Sequence, residues 1–319
     1  MNDAIRVNNV SKRFGTLQAV DGIEFSIPRG SLCGFLGPNG AGKSTTIRMI
    51  MSIIYPDSGD IAVMGGSALD RKDAIGYLPE ERGVYRKMPV AKFIAYIARL
   101  KGVDARGLPR RIDAWLERME LPGVTRKKCQ ELSKGMQQKV QFIASVIHEP
   151  DLIILDEPFS GLDPVNARLL GRTIKEMNDE GRTIIFSTHV LHQAEQLCDR
   201  VLMINGGRMV LDGDMQSIRD RHDPREIVIE LAGRDDAMSP GLLEGLPEVR
   251  EARVDADGTT IGLTMTDEVD LHRGIPRSLL ARLTETVPVR SVELRRPTLD
   301  DIFVRIVGST VTDVEARDS

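Results

Sequence analysis

Short apolar runs alternate with helical patterns through the first two thirds of the chain. Residues 152–155, 184–186 and 201–204 are apolar on both faces, a pattern typical of buried parallel strands. Asp163 and Pro164 lie between the first two runs and predict the start of a helix, as N-cap and first-turn proline. We therefore predict an α/β core in which helices cover both sides of a parallel sheet.

A polar–apolar alternation and a glycine-rich loop precede this core. Ile23, Phe25 and Ile27 alternate with polar residues, which predicts a half-buried strand in a small antiparallel β layer. Residues 31–36 predict another strand, and the loop 37–44 follows it directly. Apolar residues then recur at helical spacing, at Ile47, Ile50, Met51 and Ile54. The order is strand, glycine loop, helix.

Two further stretches predict a helical subdomain over about residues 86–150. Residues 88–120 carry two apolar stripes at helical spacing, one with Phe93, Ile94, Ile97 and Leu100, the other with Ile112, Trp115, Leu116 and Met119. Residues 133–149 predict another helix, ended by Pro150, with Met136, Val140, Ile143, Ala144 and Ile147 on one face. We interpret all three stripes as helix core.

The character of the sequence changes near residue 220. Residues 219–225 are charged and contain a proline, as a linker would. Beyond them, residues 227–231, 259–265 and 289–294 predict strands, Leu279, Leu280 and Leu283 predict a helix, and Thr298 would cap a last helix. We therefore predict two domains, residues 1–220 and a small accessory α+β domain at 221–319, whose last ten polar residues are expected to fray.

Composition narrows the class of protein. The 319 residues suffice for two domains, and 41% hydrophobic with 28% charged residues is usual for a soluble globular protein. A net charge of −4 gives no support to a nucleic-acid-binding surface. No apolar run reaches the length of a membrane-spanning helix, and the first ten residues lack the apolar core of a signal peptide. The three cysteines lack metal-ligand spacing, so we expect reduced thiols in the cytosol.

The glycine-rich loop matches the pattern of a phosphate-binding P-loop. Its residues are Gly37, Pro38, Asn39, Gly40, Ala41, Gly42, Lys43 and Ser44, and Thr45 follows. The glycines allow backbone N–H groups to surround phosphate oxygens, and the next helix adds the positive end of its dipole. We expect Lys43 to bridge the β- and γ-phosphates of a nucleotide and Ser44 to bind Mg²⁺.

Two acids, Asp156 and Glu157, follow the apolar run 152–155. An isolated acid pair at the end of a strand would more simply be solvated. After a P-loop, we expect Asp156 to hold the Mg²⁺ shell and Glu157, pointing the opposite way by strand alternation, to polarise an attacking water. His189 follows the predicted strand 183–187, where it would contact the γ-phosphate. Taken alone, His189 fits a structural role equally well.

Five motifs resemble, in their order and spacing, those of the nucleotide-binding subunit of an ABC transporter. They are GPNGAGKST, LSKGM, LIILDEP, SGLD and STH, and the resemblance covers about residues 4–217. The resemblance implies that Ser133 and Gly135 contact the γ-phosphate of ATP bound to an opposite protomer, so that two ATP molecules lie between two subunits arranged head to tail. It also implies that Asp163 communicates between the two sites and that Phe14 stacks on adenine. The alternative for Phe14 is a core residue of an edge strand.

The chain departs from the family pattern at two places. The family's glutamine loop normally carries Gln where this chain has Glu80, which can still bind Mg²⁺ but adds a negative charge beside the γ-phosphate. Lys134 and Met136 replace Gly and Gln in the signature segment, and Lys134 either offsets the extra acid or faces solvent. With these departures the chain resembles the subgroup that pairs with ABC-2-type exporter permeases. The segment YLPEERGVY and the ending RRPTLDDIFVRI fit the same subgroup. NatA-like sodium or drug export subunits are the nearest match.

The resemblance implies an ATPase with ATP and Mg²⁺ at the cytoplasmic face of the membrane, powering export through a separate permease. The permease would dock between Gly83 and Met88, the second subunit would be another copy of this chain, and no nucleic-acid partner is expected. Two alternatives remain: an ABC ATPase that acts outside transport, on ribosomes or DNA, and a nucleotide-gated regulatory module with little hydrolysis. The C-terminal domain would serve dimerisation or regulation, or be a passive extension.

Overall fold

The computed structural model describes residues 3–81, 83–223, 225–232, 243, 245–255, 258–271 and 274–306. The chain divides into two compact units, residues 1–215 and 216–319. A helix, Met215–Arg221, occupies the first part of the stretch 219–225 that the sequence suggested as a linker. The polar last ten residues, expected to fray, lie outside the described residues.

The first unit contains two sheets. Its strands in chain order are β1 (Asp3–Phe14), β2 (Leu17–Pro28), β3 (Leu32–Leu36), β4 (Ser58–Val63), β5 (Ile75–Leu78), β6 (Leu152–Asp156), β7 (Thr183–Thr188), β8 (Arg200–Asn205) and β9 (Arg208–Asp214). An antiparallel sheet has the order β2-β1-β4, and a six-stranded sheet has the order β5-β6-β7-β3-β8-β9. This confirms the antiparallel β layer and the parallel core that the apolar patterns predicted.

The six-stranded sheet places β3 between β7 and β8. Strands β5, β6, β7, β3 and β8 run parallel, and only the edge strand β9 is antiparallel. Every residue of β3, β6 and β7 is buried, because both faces of the sheet are covered. The carboxyl ends of these three neighbouring strands therefore open at one edge, where ligands of open α/β sheets bind.

The helices of the first unit are α1 (Lys43–Ile50), α2 (Val90–Leu100), α3 (Leu108–Arg118), α4 (Lys134–Val146), α5 (Pro164–Asp179) and α6 (Leu191–Leu197), and α7 is the helix Met215–Arg221. Helix α1 is shorter than predicted, because it ends at Ile50 and leaves Ile54 outside it. Leu100 was wrongly placed in the core stripe of α2, because this last residue of the helix is exposed. The stripe of α3 and the predicted face of α4 pack into the core as expected, except that Trp115 and Met136 are only partly buried.

The second unit has its own sheet and its own apolar core. Strands β10 (Glu226–Leu231), β11 (Val249–Val254), β12 (Thr260–Met265) and β13 (Val289–Arg295) pair antiparallel in the order β11-β12-β10-β13. Helix α8 (Arg277–Thr286) buries Leu279 and Leu283 in the same core as Ile227 and Ile229. A last helix, α9 (residues 299–306), is capped by the Thr298 hydroxyl, which accepts the Asp301 N–H. The sequence had missed β11.

Among the described residues, no helix combines the length and the apolarity needed to span a bilayer.

Candidate functional site

The carboxyl ends of β3, β6 and β7 bring the predicted site residues together. Strand β3 runs into the loop 37–42, β6 ends at Asp156, and His189 follows the last residue of β7. In the sheet register, Asp156 lies opposite Ser187 of β7 and Leu36 opposite Thr188. The ends of three buried strands thus position the site.

The loop that follows β3 has a conformation that two of its glycines make possible. Gly37 and Gly42 have φ values of 146° and 110°, a region that other residues rarely adopt. A Cβ on Gly37 would lie 2.1 Å from the Ile204 carbonyl oxygen, and one on Gly42 would lie 2.5 Å from the Ala19 carbonyl oxygen. Helix α1 starts directly after Gly42, so its first N–H groups face the loop.

Lys43 is the only buried cation of this loop and is 6% exposed. Its Nζ donates to the carbonyl oxygens of Gly37 at 2.7 Å and Pro38 at 3.1 Å and lies 3.9 Å from Glu157 Oε1. Burial lowers the pKa of Lys43, opposed by the nearby carboxylates, of which Glu157 contributes most. The ammonium group is therefore held over the loop where a phosphate would be cradled.

Ser44, in the first turn of α1, links the two acids predicted to bind a metal. Its Oγ lies 3.4 Å from Asp156 Oδ1 and 3.5 Å from Glu80 Oε2. Asp156 is buried and also accepts a hydrogen bond from Ser187 Oγ, which fixes its carboxylate. One hydroxyl and two carboxylates form an all-oxygen donor set of the kind that Mg²⁺ prefers. The three residues therefore fit a magnesium ion.

Glu157 is oriented by the backbone and not by strand alternation, which corrects the sequence argument. Strand β6 ends at Asp156, and Glu157 has a φ of 49°, in the left-handed region. Its N–H donates to the Ser187 hydroxyl at 3.0 Å and approaches the Ser187 carbonyl oxygen at 3.2 Å. Ser187 thus holds both acids, because it donates to Asp156 and accepts from Glu157.

The Glu157 carboxylate lies between the His189 ring and the Lys43 ammonium. Its Oε1 is 2.9 Å from His189 Nδ1 and 3.9 Å from Lys43 Nζ. The His189 side chain is half-exposed, whereas the Glu157 side chain is almost buried. A nearly buried carboxylate paired with a histidine and facing a phosphate loop has the arrangement of a general base.

A cavity of about 330 Å³ joins the loop to the antiparallel sheet. Asn39, Gly40, Thr45, Glu80 and Glu157 line it together with Phe14, Leu17 and Ala19. Phe14 is 47% exposed, so it is not the edge-strand core residue that the sequence left open as an alternative. The lining of the cavity thus combines residues of the glycine-rich loop with an aromatic ring, that of Phe14.

Ser133, Gly135 and Asp163 do not line this cavity. Ser133 is the N-cap of α4, where its Oγ accepts the Met136 N–H at 3.2 Å. Asp163 caps α5, where its carboxylate accepts the N–H groups of Val165 and Asn166 at 3.0 Å each, and these bonds hold its pKa below the usual range. Lys134 is exposed. These residues belong to a second surface, distinct from the cavity.

Three polar side chains of α4 tie that surface to the cavity, and the sequence had not identified them. Gln138 Nε2 donates to the Pro158 carbonyl at 3.0 Å, Lys139 Nζ to Asn166 Oδ1 at 2.7 Å, and Gln141 Nε2 to the Glu81 carbonyl at 3.2 Å. All three are buried. The only signal for them in the sequence is that polar residues interrupt an otherwise apolar helix. Such residues are expected to form hydrogen bonds where they are buried, but the sequence does not show which of them are buried.

Comparisons with known proteins match both parts of the chain. A family model described as ABC transporter matches residues 20–160, and one described as ATP-binding protein DrrA1-3-like, C-terminal domain, matches residues 213–307. The uncharacterized ABC transporter ATP-binding protein YhaQ of Bacillus subtilis is 38% identical over 306 residues, which cover 96% of this chain and 99% of YhaQ. The chain belongs to the ATP-binding proteins of ABC transporters.

Two further ABC relatives bear on fold and function. The Nod factor export ATP-binding protein I of Rhizobium etli is 32% identical over 309 residues, which cover 96% of this chain and 93% of that protein. The solved structure of the ATP binding subunit of an ABC transporter is 30% identical with a TM-score of 0.64, covering 69% of this chain and 93% of that one. The predicted family and the predicted P-loop α/β fold are confirmed. As an ABC ATP-binding protein, the chain binds ATP.

Proposed function

We propose that this chain hydrolyses ATP to power export through a separate ABC-2-type permease at the cytoplasmic face of the membrane. The pairing of Glu157 with His189 at 2.9 Å, beside Lys43, carries the proposal for hydrolysis. The likeness to an export ATP-binding protein over nearly the whole chain supports the direction of transport. Sodium, a drug or another small solute would be the cargo, selected by the permease.

Each residue of the site has a separate role in the proposed hydrolysis. The backbone N–H groups of residues 39–45 and the Lys43 ammonium bind the β- and γ-phosphates, and Phe14 stacks on the adenine. Mg²⁺, held by Ser44, Asp156 and Glu80, would supply neutralisation of the developing phosphate charge. Glu157 orients a water molecule and accepts its proton as the water oxygen attacks the γ-phosphorus, and His189 contacts the γ-phosphate. The bond between the γ-phosphorus and the oxygen that bridges it to the β-phosphate breaks, which gives ADP and phosphate.

A nucleotide-gated module with little hydrolysis is the second candidate, and Glu80 favours it. Its carboxylate, 3.5 Å from Ser44 Oγ, brings an additional negative charge to the metal and phosphate region. The same charge is partly offset by Lys43, whose ammonium faces three carboxylates. Because the Glu157–His189 pair is intact, we favour turnover over gating.

A second copy of the chain completes each site in this proposal. Ser133, Gly135 and Asp163 lie outside the single-chain cavity and are free to approach the γ-phosphate held by an opposite protomer. Helix α4 then connects the two sites, because it carries Ser133 at its start and holds the loops at Glu81 and Pro158 further along. The dimer is therefore expected to form head to tail and to depend on ATP.

The permease is proposed to dock between Gly83 and Met88. Tyr85 is 50% exposed and contacts the rings of Phe93 and Tyr96 edge-on, at 5.9 and 5.7 Å between centroids. Exposed aromatic groups of this kind are frequent anchors of interfaces. The docking segment is adjacent to Glu81, whose carbonyl is held by α4.

Co-purification from membranes tests the partnership. The tagged chain, produced with a candidate six-helix permease, should be recovered in the membrane fraction with that permease. Tyr85→Ala should reduce recovery several-fold, whereas Tyr55→Ala, at another exposed tyrosine, should not. Recovery of the chain with ribosomes, and its absence from membranes, would instead support an ABC ATPase acting outside transport.

For the second unit we propose a role in dimerisation or regulation. It has a core of its own and no glycine loop in its sequence, so it contributes no nucleotide site of this kind. Removal of residues 225–319 should change ATP-dependent dimerisation or the ATPase rate. If neither changes, nor permease binding, the unit is a passive extension.

A further inference from the structure

A groove between α5 and α6 lies outside the nucleotide cavity and shares no lining residue with it. Its volume is about 670 Å³, compared with about 330 Å³ for the nucleotide cavity. Sites for small molecules in proteins usually span about 300–1,000 Å³. The groove is therefore large enough for a small organic ligand.

The floor of the groove is apolar. Phe159 packs edge-on against Phe186 of β7, with ring centroids 5.6 Å apart, and Leu197 lies beside it at the end of α6. Gly171 of α5 has no side chain to cover this floor. A Cβ there would lie 3.4 Å from both terminal methyls of Leu197 and 3.9 Å from the Phe159 ring. The glycine thus lets Leu197 and Phe159 pack closely at the floor, and a larger residue would push into the groove or displace them.

The rim of the groove is positively charged. Arg168, Arg172 and Lys175 follow one another at helical spacing along one face of α5, and none of the residues that line the groove is acidic. Lys175 lies 3.6 Å from carboxylates outside the lining. Arg168 Nε donates to the Pro164 carbonyl, and within the described part of the chain no carboxylate pairs with Arg168 or Arg172. Two guanidinium groups therefore remain available for an anion.

We propose that this groove binds a small amphipathic anion, a molecule with a carboxylate, sulfonate or phosphate group on an apolar body. The apolar body covers Phe159, Gly171 and Leu197, and the anionic group pairs with the guanidinium of Arg172. Both features are needed, because an inorganic anion gains no burial and a neutral apolar molecule gains no charge pairing. The apolar floor thus selects the apolar body of the ligand, and the basic rim selects its anionic group.

Fluorescence titration of the full chain with anilinonaphthalene sulfonate tests the ligand class, since this probe has an aromatic body and one sulfonate. We expect saturable binding to one site that saturating MgATP does not displace. Decanoate should displace the probe at least about tenfold more effectively than decyltrimethylammonium, which has the same chain length and the opposite charge. Equal displacement by the two, or competition by MgATP, would overturn the proposal.

Substitutions in the groove test whether the probe binds there. Gly171→Leu, which fills the floor, and Arg172→Glu, which reverses an exposed charge, should each weaken probe binding at least about tenfold. Arg110→Glu, an equal charge change at an exposed position of α3, should leave it unchanged. If Gly171→Leu does not fold, Arg172→Glu decides alone, because its side chain is exposed. Unchanged binding in Arg172→Glu, or equal weakening in Arg110→Glu, would contradict the assignment.

Discussion

At the residue scale, the Ser44 hydroxyl lies beside two carboxylates of the site. It approaches Asp156 at 3.4 Å and Glu80 at 3.5 Å, although these residues come from β6 and from the loop after β5. Without a cation between them, the two carboxylates repel each other, and the hydroxyl can donate to only one at a time. The proposed Mg²⁺ resolves both conflicts.

Ser44→Ala should therefore weaken binding of MgATP while leaving binding of metal-free ATP nearly unchanged. We expect a loss of affinity of about tenfold in the presence of Mg²⁺, equivalent to about 1.4 kcal/mol. Calorimetric titration with ATP, once with Mg²⁺ and once with a chelator, measures the difference within one variant. An equal loss under both conditions would show that Ser44 contacts the nucleotide and not a metal.

At the scale of elements, α4 connects the parts of the site. Its side chains hold Pro158 after the acid pair, Glu81 beside the docking segment, and Asn166 of α5. Lys139 is 3% exposed, and burial lowers its pKa. Its contact with Asn166, whose amide also donates to Asp163, joins α4 to the N-cap of α5.

Asn166→Ala should destabilise the chain by about 1–3 kcal/mol, because it leaves the buried ammonium of Lys139 without its acceptor. Chemical denaturation of the variant measures the loss. In a Lys139→Met background the same substitution should cost much less, as the acceptor is no longer required. An equal cost in both backgrounds would mean that the Lys139–Asn166 contact does not stabilise the fold.

His148 joins the end of α4 to β5 and predicts a pH dependence. Its Nε2 contacts the Ile75 carbonyl at 3.1 Å, its Nδ1 is buried without a partner among the described residues, and burial lowers the pKa of His148 to about 4. Between pH 6.5 and about 4 the unfolded chain therefore binds a proton that the folded chain does not. Neutral, partly buried His148 therefore makes its full contribution to the free energy of unfolding above pH 6.5. This contribution is lost as the pH falls from 6.5 to about 4.

His148→Gln keeps a donor for Ile75 without titrating, so it should lose less stability on acidification than the natural chain. We expect the free energy of unfolding to fall by about 1 kcal/mol less in the variant than in the natural chain between about pH 7.5 and about pH 5, because His148 is only partly buried. Urea unfolding at both values gives this difference, and other titrating groups cancel in the comparison. Identical pH dependence would place the Nδ1 of His148 in contact with solvent.

The sequence predicted those features that depend on short-range patterns. The P-loop, the buried strands and the N-cap at Asp163 each follow from neighbouring residues, and the structure places them as expected. The role of Ser187 and the contacts of Gln138, Lys139 and Gln141 were not predicted. These depend on residues far apart in the chain, such as Ser187 opposite Asp156, and no local pattern reports such a contact. The left-handed backbone at Glu157 was missed for the same reason, because Ser187 fixes it.

At the scale of the molecule, the residues proposed to contact ATP lie on two different surfaces of the chain. The cavity carries Lys43, Ser44, Glu80 and Glu157, while Ser133 and Gly135 lie on a different surface at the start of α4. Gly135 is close to the turn before α5, since a Cβ on it would lie 3.4 Å from Leu162. In the proposed cycle, ATP joins two copies of the chain and hydrolysis separates them.

The behaviour of Glu157→Gln with MgATP tests this account most directly. The substitution keeps the shape of the side chain and its contact with His189 but removes the base that accepts a proton from water. We predict that turnover falls at least about 100-fold and that light scattering shows a stable ATP-bound dimer, which the natural chain forms only transiently. A variant that turns over ATP like the natural chain, or stays monomeric with MgATP, would contradict the account.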